Sequence, residues 1–260
     1  MELLPAAVGL HGHDQRSELS EPSHWFEPLA DHLGSAYLRY SFTKGTQQEV
    51  AFLVGALALE PGQRLLDVGC GPGRHAHALA ARGINVVGID ISQRFIDIAT
   101  ERTPEGAPAR FERADARALT FDAEFDAAIS LCQGAFGLVG AGDDETVLAG
   151  MARALRPSGR FAISAFSSYF QVRYPQEQGT FDAASGVHHE RTVLKSETGA
   201  EAEADLWTTC YTARELQLLA DRAGLTIDAI WSVEPGRYER QAPTVESPEL
   251  LVVGTKPARH

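Results

Sequence analysis

The sequence predicts a doubly wound α/β fold, on three observations. Short apolar runs alternate with helical stretches between Arg64 and Phe166, a glycine-rich turn follows the first run, and turn residues separate the later ones. Such alternation implies parallel βαβ units. Leu65-Leu66-Asp67-Val68 reads as a buried strand, followed by the glycine turn and a helix over 74–82. A second strand is expected over 85–89, with Ser92 placed to cap the helix behind it. Strands over 110–113 and 125–131 and a helix over 145–155 follow; Pro157-Ser158-Gly159 then turns into a fifth strand over 160–166.

Upstream of this core, residues 1–24 show no period, and the stretch 25–42 carries Trp25, Phe26, Tyr37, Tyr40 and Phe42. Thr46-Gln47-Gln48-Glu49 has the spacing of a capping box before an apolar run over 50–59, which Pro61-Gly62 ends. Downstream, two β-like stretches, 187–194 and 204–211, flank Gly199 and predict a hairpin. Thr212-Ala213-Arg214-Glu215 is a second capping box, and strands over 227–233 and 250–254 close the chain. The expected division is an N-terminal extension and helical cap over 1–45, then one domain over 46–260 whose insertion, 168–211, is placed to cover a substrate.

The 260 residues carry a formal charge of −12, with Lys and Arg scattered rather than clustered. A phosphate backbone would repel such a surface, so no nucleic-acid partner is expected. No apolar run approaches the length of a membrane span, and Met1-Glu2-Leu3-Leu4-Pro5 lacks the basic start of a signal peptide, so the expectation is a cytoplasmic protein with no membrane partner. Cys70, Cys132 and Cys210 lie far apart with no Cys-x-x-Cys pair, which predicts free thiols and neither a zinc site nor a disulfide framework.

The strongest signal is Asp67-Val68-Gly69-Cys70-Gly71-Pro72-Gly73. Glycines at every second position let a ligand lie against the main chain at the carboxyl end of a strand, where open α/β sheets bind ligands. A dinucleotide would set its pyrophosphate on this turn, and Asp67 would repel it. A ligand bearing an ammonium group would be attracted instead. Asp90, ending the second strand, can accept hydrogen bonds from both hydroxyls of a ribose, and Asp115, after the third, can accept from an exocyclic adenine amine.

These residues, with Gly88-Ile89-Asp90-Ile91-Ser92, Ala114-Asp115-Ala116, Phe125-Asp126-Ala127-Ala128-Ile129-Ser130 and Leu155-Arg156-Pro157-Ser158-Gly159, make the chain resemble the class I S-adenosylmethionine-dependent methyltransferases. The resemblance implies a mostly parallel seven-stranded sheet with an antiparallel last strand, and S-adenosylmethionine as cofactor. It also implies that Gly69, Gly71 and Gly73, with Cys70 in the same turn, pack on the methionine moiety, Asp67 lies near its amino group, and Asp90 holds the ribose. Ile91 would pack on the adenine, Asp115 and the Ala116 amide would read its edge, and Leu131 to Gln133 would lie beside the sulfonium. Asp126 starts its strand at the far end and stays outside the site.

After the fourth strand stands Ser130-Leu131-Cys132-Gln133 rather than the Asn/Asp-Pro-Pro-aromatic motif of the family's base and glutamine-amide methylases, which points to a small-molecule acceptor with an O, N or C nucleophile. In-line positioning is worth roughly 7–11 kcal/mol and a general base about 10²–10⁴-fold, so positioning dominates and a base is optional. His188-His189-Glu190 is the candidate catalytic cluster; on a strand His188 and His189 face opposite ways, so at most one meets the substrate. Two half-exposed histidines on a hairpin are the alternative, and no third ligand at a telling spacing suggests a metal. His11 and His13 lie in the N-terminal tail, and His75 and His77 read as helix-surface or loop-supporting residues. Tyr37, Tyr40 and Phe42 form either an aromatic lid over cofactor or substrate, suited to a sulfonium by cation–π attraction, or packing for a cap helix. Trp207 and Tyr211 carry the same two readings, and Cys132 reads as lining rather than nucleophile. Rival functions are a same-fold enzyme that uses the cofactor for cyclisation, a nicotinamide oxidoreductase, and a binding module without catalysis.

Overall fold

A computed structural model describes residues 24–138, 141–176 and 179–258. His11 and His13 lie outside them. Five parallel strands form one side of the main sheet, from its interior to the β3 edge: β1 (Arg64–Val68), β2 (Asn85–Asp90), β3 (Ala109–Arg113), β4 (Phe125–Ser130) and β5 (Leu155–Phe166). β9 (Thr226–Glu234), β10 (Arg237–Gln241) and β11 (Glu249–Thr255) complete an eight-stranded sheet in the order β10-β9-β11-β5-β4-β1-β2-β3. The antiparallel last strand is present, inserted between β5 and β9. β10 extends the expected seven strands by one, an antiparallel edge made by the turn at Gly236.

Strand alternation sends Leu66, Val68, Ile89 and Ile163 to one face and Leu65, Val86, Ile129 and Ala162 to the other, each buried under helices. α5 (Ala141–Ala154) and α7 (Ala213–Arg222) cover the first face. α2 (Thr46–Ala56) and α3 (Arg74–Ala80) cover the second. α4 (Gln93–Glu101) starts where expected: the Ser92 hydroxyl accepts the Phe95 amide at 3.2 Å. The capping box of Thr212 and Glu215 at the head of α7 is also formed.

The capping box expected at Thr46 is absent. Gly45 stands at the N-cap, and the Thr46 hydroxyl donates to the Thr43 carbonyl at 2.7 Å. Glu49 turns inward instead of back to the helix end, because Arg74 and His75 offer it charge-assisted partners.

The cap is α1 (Phe26–Leu33) with the irregular turns behind it. Leu29 and Leu33 pack on Leu194 and Leu206 of the insertion, and Phe26 and Tyr37 pack on Phe95. The insertion holds α6 (Ser168–Arg173) and a separate antiparallel sheet of β6 (Gly179–Asp182), β7 (Val187–Lys195) and β8 (Glu201–Thr209). β7 and β8 are the expected hairpin, turning near Gly199 at φ +85°, and β6 adds a third strand. Among the described residues no helix is long and apolar enough to cross a membrane.

Candidate functional site

The carboxyl ends of β1 to β5 define one edge of the sheet, and strand order reverses between β1 and β4. Ligands bind at such a switch point. Gly69, leaving β1 at φ +73°, touches Gly134 so closely that a Cβ would sit 2.0 Å from the Gly134 carbonyl carbon. Gly71 is open: a Cβ there would meet only Tyr37 and Phe95, at 3.9 and 4.0 Å. Gly73 does not reach the ligand face as expected; it caps α3 at φ +78°, and its Cβ would press on Ala99, His77 and Phe111. The Cys70 thiol is also turned away, buried under the turn with its hydrogen directed to the Gly71 carbonyl.

Asp90 braces the turn. Its carboxylate accepts the Gly71 amide at 2.8 Å and the Ser92 amide at 2.9 Å. Burial raises its pKa to about 6 in spite of those bonds. Beside it, Ile91, Asp115 and Ala116 line a narrow crevice roofed by His24 and Phe26. The Asp115 carboxylate is gripped by the Arg117 guanidinium at 2.7 Å and by the Arg117 amide at 2.9 Å, and the Arg117 side chain holds its pKa below the usual range. At Phe26, Gly69, Asp90, Gly134 and Leu138 the crevice opens into a chamber of about 440 Å³ under the cap and insertion.

Two buried polar atoms near the switch point lack a partner: Asp67 Oδ2, in β1 just before the glycine turn, and Gln133 Nε2, in the chamber lining. Burial pushes the Asp67 carboxyl up to about 7. An amino-acid-bearing ligand fits these residues, because its ammonium group would supply the donor and charge that Asp67 lacks. Cys132 and Gln133 hold left-handed backbone angles, φ +52° and +50°, unusual for side-chain-bearing residues and here adjacent at the carboxyl end of β4. The turn is closed by the Gly134 amide on the Leu131 carbonyl at 2.9 Å. Cys132 and Gln133 thereby face the chamber, while Leu131, expected beside them, buries its side chain in the core.

Behind Cys132 lies a cluster that the sequence did not single out. Arg74 reaches Glu49 at 2.6 Å and the Cys132 sulfur at 2.8 Å, and His75 Nε2 meets Glu49 at 2.7 Å. Burial alone would raise the pKa of Glu49, but bonds from His75 and Arg74 hold it down at about 2. Burial lowers His75 to about 4, so its ring is neutral and donates to the carboxylate. Glu49, His75 and Cys132 place ligand atoms within 4.8 Å of one another. The Arg74 guanidinium already bonds two of the three, so the cation of this cluster is arginine. His75 is thus loop-supporting, and His77, bonding the Ala99 carbonyl at 3.0 Å, ties α3 to α4.

Strand alternation separates the candidate histidines. His188 is buried and lines the chamber with Glu190 and Leu194, on one face of β7. His189 does not face the chamber: it bonds Asp205 at 2.9 Å and stacks on Trp207 with ring centroids 5.0 Å apart. Tyr37, Tyr40 and Phe42 all line the chamber wall and also pack on one another. Trp207 and Tyr211 only pack; the Tyr211 hydroxyl bonds the buried Asp144, and its ring stacks on Phe136. Asp126 sits at the far end of β4, bonding the Arg64 amide and Arg156.

Glu249 was missed altogether. β11 runs antiparallel, so its first residue pairs with Phe166, the last of β5, and arrives at the ligand edge. The carboxyl is buried in the chamber lining beside the Ser164 hydroxyl, which acts to lower its pKa, and Oε1 is unpartnered.

Residues 65–159 match a family described as a methyltransferase domain. An uncharacterized methyltransferase of Schizosaccharomyces pombe is 34% identical over 119 residues, covering 45% of this chain and 81% of that protein. A demethylmenaquinone methyltransferase of Clavibacter sepedonicus is 30% identical over 59% of this chain. The chain spans 62% of that relative's length, and 46% of its counterpart's from Renibacterium salmoninarum. Among solved structures, the CcbJ methyltransferase of Streptomyces caelestis superposes with a TM-score of 0.72 at 18% identity, over 91% of this chain and 98% of that one. CalS10 of Micromonospora echinaspora, an amino pentose methyltransferase, gives 0.61 at 21% identity, over 85% and 95%. Glycine turn, strand order and sequence match agree, and the chain belongs to the class I S-adenosylmethionine-dependent methyltransferases.

Proposed function

We propose that this protein binds S-adenosylmethionine along the carboxyl edge of β1 to β4 and transfers its methyl group to a small molecule held in the chamber. The observation that carries the reading is the passage from the narrow crevice at Ile91 and Ala116, past the bare main chain of Gly69 and Gly71, into the chamber of about 440 Å³. When bound, the cofactor supplies an electrophilic methyl group on a sulfonium.

The chain's own residues bind, orient and exclude water. Asp90, already fixed by two backbone amides, offers its remaining acceptor capacity to ribose hydroxyls. Ile91 and the Ala116 amide flank the adenine, and Asp67 and Gln133 receive the methionine end. Asp115, being charged and pinned by Arg117, accepts from an amine at the crevice mouth. Tyr37, Tyr40 and Phe42 give the chamber an aromatic wall, an environment that favours a cation. Catalysis then rests mainly on alignment of acceptor and methyl. The domain 46–260 supplies the cofactor edge, and the cap within 1–45 and the insertion 168–211 supply the roof.

A small-molecule acceptor is supported by the volume and aromatic lining of the chamber, by the net charge of −12, and by relatives whose names specify demethylmenaquinone or an amino pentose. Location in the cytoplasm belongs to the same reading. Calorimetric titration with S-adenosylmethionine and S-adenosylhomocysteine tests it: saturable binding of both, and release of S-adenosylhomocysteine on turnover, are expected. No saturation with either compound overturns it.

A further inference from the structure

We propose that the acceptor is a primary or secondary amine, received in its ammonium form by the Glu249 carboxylate, with Glu190 of β7 adding negative charge to the same chamber. This rests on the methyl-transfer reading and names the substrate class of the same site.

Charge is the first observation. The chamber is lined by Asp90, Glu190 and Glu249, and among its described lining residues there is no Lys or Arg. Arg74 lies behind Cys132 with its charge already matched by Glu49. Asp67 and Asp90 are assigned to the cofactor, which leaves Glu190 and Glu249, neither of which makes an ion pair with any described residue. A carboxylate or phosphate acceptor would add like charge to this space, and an ammonium group would compensate it.

Geometry is the second. The Cys132 amide donates to Ser164 Oγ at 2.8 Å, so the Ser164 hydroxyl hydrogen is free to donate to Glu249. Ser164 stands beside the carboxyl, and Oε1, buried and unpartnered in the chamber lining, is left for an incoming donor. The groups around it are Ser164 on β5, Cys132 after β4, Tyr238 on β10, Glu49 on α2 and Arg74 on α3. None of them is a mobile base, and Arg74 and Glu49 neutralise each other. Burial raises the Glu249 carboxyl to about 7, which suits a group that takes a proton near neutrality. The step balances without a co-reactant: one N–H bond of the ammonium breaks, its electron pair stays on nitrogen as the nucleophilic lone pair, and the proton forms an O–H bond on Glu249.

The test uses the full chain and three probes of one shape, 2-phenylethylamine, 2-phenylethanol and phenylacetate, titrated onto protein loaded with S-adenosylhomocysteine. The amine should bind about tenfold tighter than the alcohol, with phenylacetate weakest. Glu249→Gln should remove about tenfold of amine affinity, leaving the alcohol and S-adenosylhomocysteine unchanged. Glu190→Gln, which keeps the testing possible if the Glu249 variant does not fold, should cost up to about fivefold. Amine affinity should rise with pH through about 7 and flatten in Glu249→Gln. Equal or tighter binding of the alcohol or phenylacetate, no saturable binding of the amine, or an amine preference unmoved by either variant overturns the inference. Failure of S-adenosylhomocysteine to bind in the prior loading step overturns the methyl-transfer reading instead.

Discussion

Asp90 and Gly71 are joined across the mouth of the site: the carboxylate of one accepts the backbone amide of the other at 2.8 Å. The acid that would hold a ribose therefore also sets the curvature of the glycine turn. Asp90→Ala removes both roles, and S-adenosylhomocysteine affinity should fall by about tenfold to a hundredfold, read by calorimetry. Asp90→Asn, which keeps the shape but loses charge, should fall by less.

Gly69 is the position where a side chain has no room. Gly69→Ala would drive a Cβ into the Gly134 carbonyl, and both atoms belong to backbone. Loss of cofactor binding with a large drop in melting temperature is expected. Gly62 is the control: it also has positive φ, +90°, but its Cβ would enter open space. Gly62→Ala should cost only about 1–2 kcal/mol of stability, measured by urea unfolding.

Cofactor affinity should depend on pH through Asp67. Its carboxyl is pushed up to about 7 by burial, and a cationic amine binds the ionised form. Binding then releases a proton, so affinity for S-adenosylmethionine should rise as pH increases through about 7. Titrations in buffers of different ionisation enthalpy should show that release near pH 6.5, and Asp67→Asn should abolish it. A flat profile in the wild-type chain would contradict this assignment.

Stability should depend on pH through Glu49 and His75, with the opposite origin. Glu49 has its folded pKa depressed to about 2 from 4.5, so its contribution is full above 4.5 and lost as pH falls towards 2. His75 is depressed to about 4 from 6.5, so the unfolded chain takes up its proton first and stability declines from pH 6.5 downwards. The buried carboxyls Asp67, Asp90 and Glu249, with raised pKa values, act in the opposite direction. The contribution of this pair is therefore read as the difference in urea midpoint between the wild-type chain and His75→Gln, which should shift against the wild-type chain as pH falls below 6.5. Glu49→Ala leaves Arg74 buried without its partner and should cost about 3–5 kcal/mol at pH 7.

The local rules read well where periodicity and spacing were enough. Ser92, Thr212 and Glu215 cap their helices, Gly199 turns its hairpin, and Asp67, Asp90 and Asp115 end consecutive strands at one edge. They failed where tertiary partners decide. Glu49 has the spacing of a capping residue, but a buried arginine and histidine outcompete a helix amide for its carboxylate. Gly73 looks equivalent to Gly69 and Gly71 in the sequence, yet the αL angle that starts α3 points it at Ala99 and Phe111. Alternation along β7 says that at most one of its two histidines faces in, but not which, because that depends on where the insertion lies over the sheet. Glu249 carries no motif; only the reversed direction of β11 brings it to the site.

The cap and insertion meet edge to edge at Trp25 and Trp207, 5.4 Å apart, and Glu197 of the β7–β8 turn bonds Ser35 and Arg94. Crevice and chamber thus share a single ceiling, stitched from segments far apart in the chain. A substitution at Trp25, Trp207 or Glu197 therefore disturbs both spaces at once, and neither can be reshaped from above independently of the other.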